Sequence, residues 1–167
     1  ADKARYLTTQ AKDEPVEFIH DEIGYNYRLT NIQAAMGCAQ MEQLNQYISA
    51  KRDITATYTQ VFSGVAGLDP AHEAAWARSN AWMFTVLVDE SKFGMSRRDL
   101  MQRLRVANVE SRPLWQRMHL SPAHRGCAAI SCETAERIQQ NALSLPCSVG
   151  LTEGDQKRVM ECILPPR

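Results

Sequence analysis

The sequence predicts an α+β fold, a small sheet with helices on one face, approached by one long bridging helix. Three observations predict it. A helical apolar pattern runs from Thr30 to about Gly64 with no proline inside it. An apolar, β-branched segment, "NAWMFTVLVDE", follows at Asn80 to Glu90. Beyond it, strand-like and helix-like segments alternate, the order that lays helices over a small sheet.

Each element has its own local reason. Residues from about Lys3 to Gln10 suit a short helix. "DEPVEFIHDEIGYNYRL" is broken at Pro15 and Gly24 and reads as loop with a short extended piece. Thr30 then opens a helix through a T-x-x-Q capping box, in which Thr30 and Gln33 serve each other's main-chain amides. Ile32, Met36, Ala39, Leu44, Ile48, Ile54, Tyr58 and Val61 keep an apolar stripe near the 3.6-residue period. Gly64 is the expected C-terminal cap. At ~1.5 Å per residue such a helix is on the order of 45 Å long and outgrows one small core.

Asn80 to Glu90 is the expected buried strand. "MSRRDLMQRLRVA" is an amphipathic helix with Ser96 as N-cap and Asp99 in its first turn. "NVESRPLW" reads as a second strand ending near Pro113. "CETAERIQQNAL" is a helix, "SLPC" a short edge strand or loop, and "TEGDQKRVMECIL" a last helix capped by Thr152. Trp82, Phe84, Val86, Val88, Leu100, Leu104, Ile138, Val159 and Ile163 are expected to share one core.

Composition narrows the function classes. The chain has 167 residues, enough for one domain or one and a half. Its formal net charge is zero, which argues against a nucleic-acid or polyanion binder. No apolar run approaches a membrane span, and "ADKARYLTTQ" lacks the pattern of a signal peptide, so a cytoplasmic location is expected. The five cysteines, Cys38, Cys127, Cys132, Cys147 and Cys162, are odd in number and scattered. They are expected to be reduced and mostly small buried apolar residues.

Few residues suggest chemistry on their own. His119, His124, Cys127 and Cys132 are all metal-ligand types, but H-x4-H-x2-C-x4-C is not a usual zinc spacing, so no metal site is expected. There is no G-x-S-x-G elbow, and no cysteine has an obvious histidine partner. None of the five lysines, Lys3, Lys12, Lys51, Lys92 and Lys157, sits in an apolar pocket sequence that would lower its pKa. That leaves "GYNYRLTN". Asn26 and Arg28 are two apart in a non-helical segment just before a helix start. An arginine fork and an asparagine amide there suit an anion. Alternatively, Asn26 caps a turn and Arg28 pairs with Asp21 or Glu22.

"HDEIGYNYRLTNIQAAMGCAQMEQL", His20 to Leu44, resembles the signature of the pyridoxal-phosphate sugar-nucleotide aminotransferases, the DegT/DnrJ/StrS family. The pattern is a histidine, G-x-N-x-R, a short spacer, Q-A-A, a glycine and a Q-L on one helix. "SRPLWQRMHLSPAH" resembles the branch acting on 4-keto sugars, such as the perosamine- and legionaminic-type enzymes. The resemblance implies the aspartate-aminotransferase fold, with a cofactor-bearing large domain, a small C-terminal domain and active sites at a dimer interface. It implies that Asn26 reaches the phosphate of a cofactor bound by the neighbouring subunit. It implies substrate contacts for Arg28, which can meet the carboxylate of a glutamate donor, and for Trp115 and His119. A nucleotide-linked keto sugar is then the acceptor, in cell-surface polysaccharide biosynthesis. The family's cofactor lysine lies a few tens of residues before this motif, yet only twenty-three residues precede Gly24. The resemblance therefore implies the C-terminal part of such an enzyme, with no catalytic residue of its own and inactive alone. Residues 1–45 are the expected large-domain remnant and 46–167 the small domain. Loss of cover over Ile32, Met36 and Met41 predicts a homo-oligomer joined through residues 24–46. The alternative is a non-enzymatic, self-associating α+β interaction domain.

Overall fold

The structure is a computed structural model, and it describes residues 1–14 and 16–164. Pro15, read above as a helix breaker, lies outside the described residues. The elements are α1 (Asp2–Thr8), α2 (Asn31–Glu42), α3 (Leu44–Phe62), β1 (Leu68–Pro70), β2 (Phe84–Val88), α4 (Glu90–Phe93), α5 (Arg97–Val106), β3 (Arg112–Pro113), α6 (Glu133–Asn141), β4 (Ala142–Leu145) and α7 (Glu153–Ile163). Two 3₁₀ turns, Met118–Leu120 and Pro122–His124, lie between β3 and α6. The chain divides into two compact units, Ala1–Leu44 and Asn45–Arg167. Among the described residues, no helix is long and apolar enough to cross a membrane.

In the first unit, α1 leads into a loop and the loop into α2. The Thr30 capping box forms as its sequence predicts: the amide of Gln33 donates to Thr30 Oγ1, and the amide of Thr30 donates to Gln33 Oε1 at 2.9 Å. The helical run from Asn31 to Phe62 is in two pieces, α2 and α3, parted at Gln43. Gln43 sits at φ −100° and ψ −1°, and its amide reaches only three residues back, to the Gln40 carbonyl at 3.3 Å. Neither proline nor glycine marks the break.

In the second unit the sheet is antiparallel, in the order β1-β2-β4-β3. Phe84 stands opposite Leu145, Val86 opposite Leu143 and Leu68 opposite Val88. These residues form one apolar face. Ile54, Tyr58 and Phe62 of α3, Leu100 and Leu104 of α5, and Val159 and Ile163 of α7 complete its core. Tyr58 and Phe84 meet with ring centroids 4.8 Å apart. The Tyr58 hydroxyl donates to the Pro146 carbonyl at 3.0 Å, and burial holds that phenol neutral well above its usual range. Gln156 is buried polar, and its Nε2 donates to the Ile54 carbonyl at 2.7 Å. Ser96 and Thr152 cap α5 and α7 as expected.

Several expectations change. The Asn80–Glu90 strand is confined to Phe84–Val88. Trp82 is exposed and Ile138 half-buried, so neither joins the core. "SLPC" holds no edge: β4 lies between β2 and β3, with all four of its residues buried. Gly64 does not take a positive φ; Gly67 does, at +81°, where a Cβ would come within 2.4 Å of the Phe93 amide nitrogen. Of the five cysteines, all free, only Cys147 is buried.

Candidate functional site

The loop that carries Asn26 and Arg28 is held from α1. The amide of Tyr25 donates to Leu7 O at 2.7 Å, Tyr27 to Thr8 O at 3.0 Å, and Gln10 to Tyr25 O at 3.0 Å. Asn26 pairs with Thr9 in an antiparallel bridge. Gly24 allows this close approach, since a Cβ there would lie 2.3 Å from the Ala11 nitrogen. Gln10 and Ala11 take positive φ, 71° and 48°, a conformation that side-chain-bearing residues seldom adopt.

Side chains fasten the same loop. Asp13 accepts from the Tyr6 hydroxyl at 2.7 Å and from the Asp21 amide at 2.8 Å. The Asp21 amide, then the Tyr6 hydroxyl, hold the Asp13 carboxyl below its usual range. The same hydrogen bond pushes Tyr6 up to about 12. His20 Nδ1 donates to the Gln10 carbonyl at 2.7 Å.

Asn26 and Arg28 are exposed. The Asn26 side-chain oxygen accepts weakly from the Arg28 amide at 3.4 Å, an Asx-type turn, which leaves its NH₂ outward as a donor. Arg28 does not pair with Asp21 or Glu22. Glu22 is taken by Lys3. Asp21 meets Asp13 through its main chain. The guanidinium makes no ion pair among the described residues. An unneutralised fork and a free amide, three and five residues before α2, form a donor set suited to phosphate or carboxylate.

Trp115 and His119 belong to the second unit, each with its own partners. The Trp115 ring stacks on Trp82, with centroids 6.1 Å apart and planes 18° apart, and both rings are exposed. His119 Nε2 and Arg117 Nη1 both meet Glu136 Oε1 at 3.2 Å. The side chains of Arg117 and His119 are 15% and 17% exposed, while the Glu136 carboxylate that they share is 41% exposed. From the sequence, Trp82 is expected in the core, and Arg117 and Glu136 have no expected role. Glu136 lies seventeen residues from His119, on α6, and no local spacing links them. Among the described residues, no group of three or more histidine, cysteine, aspartate or glutamate side chains could hold a metal.

The five lysines have local partners. Lys3 pairs with Glu22, Lys92 with Asp89 at 3.2 Å and Lys157 with Glu161 at 3.9 Å. Lys12 lies over the Phe18 ring, and Lys51 donates to the Trp82 carbonyl at 2.9 Å.

The model of the DegT/DnrJ/EryC1/StrS aminotransferase family matches residues 1–164. EpsN of Bacillus subtilis, whose name gives it provisionally as a pyridoxal phosphate-dependent aminotransferase, is 36% identical over 98% of this chain. GDP-perosamine synthase of Caulobacter vibrioides is 32% identical, again over 98%. The chain spans less than half of these relatives, 42% of the first and 44% of the second. The aminotransferase TlmJ of Streptoalloteichus hindustanus superposes with a TM-score of 0.83 at 24% identity, over 97% of this chain and 43% of that one. That likeness shows the fold.

Proposed function

This chain belongs to the DegT/DnrJ/EryC1/StrS aminotransferase family, and from that premise we propose that it is the C-terminal part of an enzyme that moves an amino group from glutamate onto a nucleotide-linked keto sugar. Residues 1–45 are the end of that enzyme's large domain, and 46–167 are its small domain. The observation that carries this reading is the pair of unneutralised donors on the Gly24–Thr30 loop. Pyridoxal phosphate, when bound, supplies the electron sink and carries the amino group.

The residues here bind and orient. The Asn26 amide donates to a phosphate oxygen of a cofactor held mainly by a second subunit. The Arg28 fork meets the donor's carboxylate in two parallel hydrogen bonds. The exposed face of Trp115 packs on the sugar nucleotide. His119 has Nε2 engaged by Glu136, so Nδ1 is the nitrogen left to meet a substrate hydroxyl. The perosamine synthases among the relatives support a sugar-nucleotide substrate.

In this reading the chain alone is inactive, because amino transfer needs a lysine beside the cofactor. The local partners of all five lysines support that. The test is incubation with pyridoxal phosphate, borohydride reduction and mapping of adducts by mass spectrometry, alongside a turnover assay with glutamate and a keto sugar. Scattered, low labelling and no turnover are expected. One fully modified lysine with turnover would overturn the reading. The second reading, a non-enzymatic, self-associating α+β interaction domain, draws on the exposed apolar residues of α2.

A further inference from the structure

Lys51 on α3 and Cys147, two residues past β4, aim at one main-chain oxygen. Lys51 Nζ donates to the Trp82 carbonyl at 2.9 Å, and the Cys147 thiol donates to the same oxygen at 3.4 Å. Sharing this acceptor leaves Nζ and Sγ 3.8 Å apart. Cys147 is 9% exposed. A groove of about 380 Å³, lined by Lys51, Met83, Ser144 and Cys147 among others, opens onto the pair. A small oxidant can therefore reach a thiol that already has an amine fixed against it.

We propose that Lys51 and Cys147 form an oxidative modification site that closes a covalent sulfur–nitrogen link. The oxidant is a hydroperoxide. It oxidises the Cys147 thiol by two electrons to a sulfenic acid and is itself reduced to water or the alcohol. A sulfenic acid is electrophilic at sulfur and condenses with thiols or with nitrogen. The Lys51 ammonium sheds one proton to solvent, and its nitrogen attacks sulfur. The S–O bond breaks, the hydroxyl leaves as water with a second amine proton, and an S–N bond remains. A thiol reductant restores both side chains. The link ties α3 to the segment that follows β4. It is independent of the amino-transfer reading.

The test is treatment of the folded chain with hydrogen peroxide, then peptide mapping without reduction. A peptide pair joined through Lys51 and Cys147, lighter by two hydrogens than its parts, is expected. Dithiothreitol should separate it. Lys51→Arg, which keeps the charge and the donor to Trp82, should abolish the link, as should Cys147→Ser. Exposed Cys38 and Cys127 serve as internal controls for ordinary oxidation. Cys147 left as a thiol, or driven to sulfinic acid beside a free Lys51, would overturn the proposal. So would an equal yield from chain unfolded in urea, or a link from Cys147 to another amine in Lys51→Arg.

Discussion

Asp13 shows what one carboxylate does for this loop. Its pKa is lowered by the Asp21 amide and the Tyr6 hydroxyl. A lowered carboxylate stabilises the fold above its unfolded value, ~3.9, and the contribution is lost as pH falls from there through the folded value. The loop around Gly24 should therefore loosen in acid, read as faster exchange of the Asp21 and Tyr25 amides. Tyr6 carries the opposite sign: raised to about 12, its neutral form favours the fold, and that contribution fades as pH rises from its ordinary ~10 to that value. An Asp13→Asn chain with an unchanged acid profile would remove Asp13 as the cause. At the other unit's centre, Phe84 is buried against Tyr58 and Phe62. Phe84→Ala should cost about 3–5 kcal/mol in a denaturant melt. A loss under about 1 kcal/mol would mean the aromatic cluster does not carry this core.

Among the elements, α2 depends on its cap, since it buries no side chain of its own. Thr30→Ala removes the half of the box in which the Gln33 amide donates to Thr30 Oγ1, and should cost that helix about 1 kcal/mol, seen as fraying of the Gln33 and Ala34 amides. Replacing Thr30 with serine should retain most of it. The box was legible because all of its groups lie within four residues. So were the caps at Ser96 and Thr152, for the same reason. Other elements are decided at a distance. β1 is three residues including Pro70, and it is a strand because Leu68 and Pro70 find Val88 and Val86. β4 looked like an edge because nothing local announces that Arg112 and Pro113 return on its far side. The parting at Gln43 carries no breaker residue to read. The site divides the same way. Asn26 and Arg28 stand out in a contiguous motif, whereas the clasp of Arg117 and His119 depends on Glu136 from a later helix.

For the molecule as a whole, α2 and the loop before it present a run of exposed apolar residues. Ile32, Met36 and Met41 of α2 are 76%, 66% and 66% exposed, with Ile23, Tyr27 and Leu29 open just before them. Surfaces of this kind are covered in most working proteins. Sedimentation at rising concentration should show self-association, and Ile32→Glu with Met36→Glu should weaken it. A clean monomer at high concentration would contradict that expectation. The stacked indoles of Trp82 and Trp115 also have an optical consequence. Two indoles held 6.1 Å apart with ring planes 18° apart couple their transition dipoles, whereas Trp76, 91% exposed, has no ring partner of this kind among the described residues. The chain thus carries an intrinsic chiroptical gauge. Its circular-dichroism couplet should track separation of the segments before β2 and after β3, and a Trp76→Phe chain should leave that signal standing.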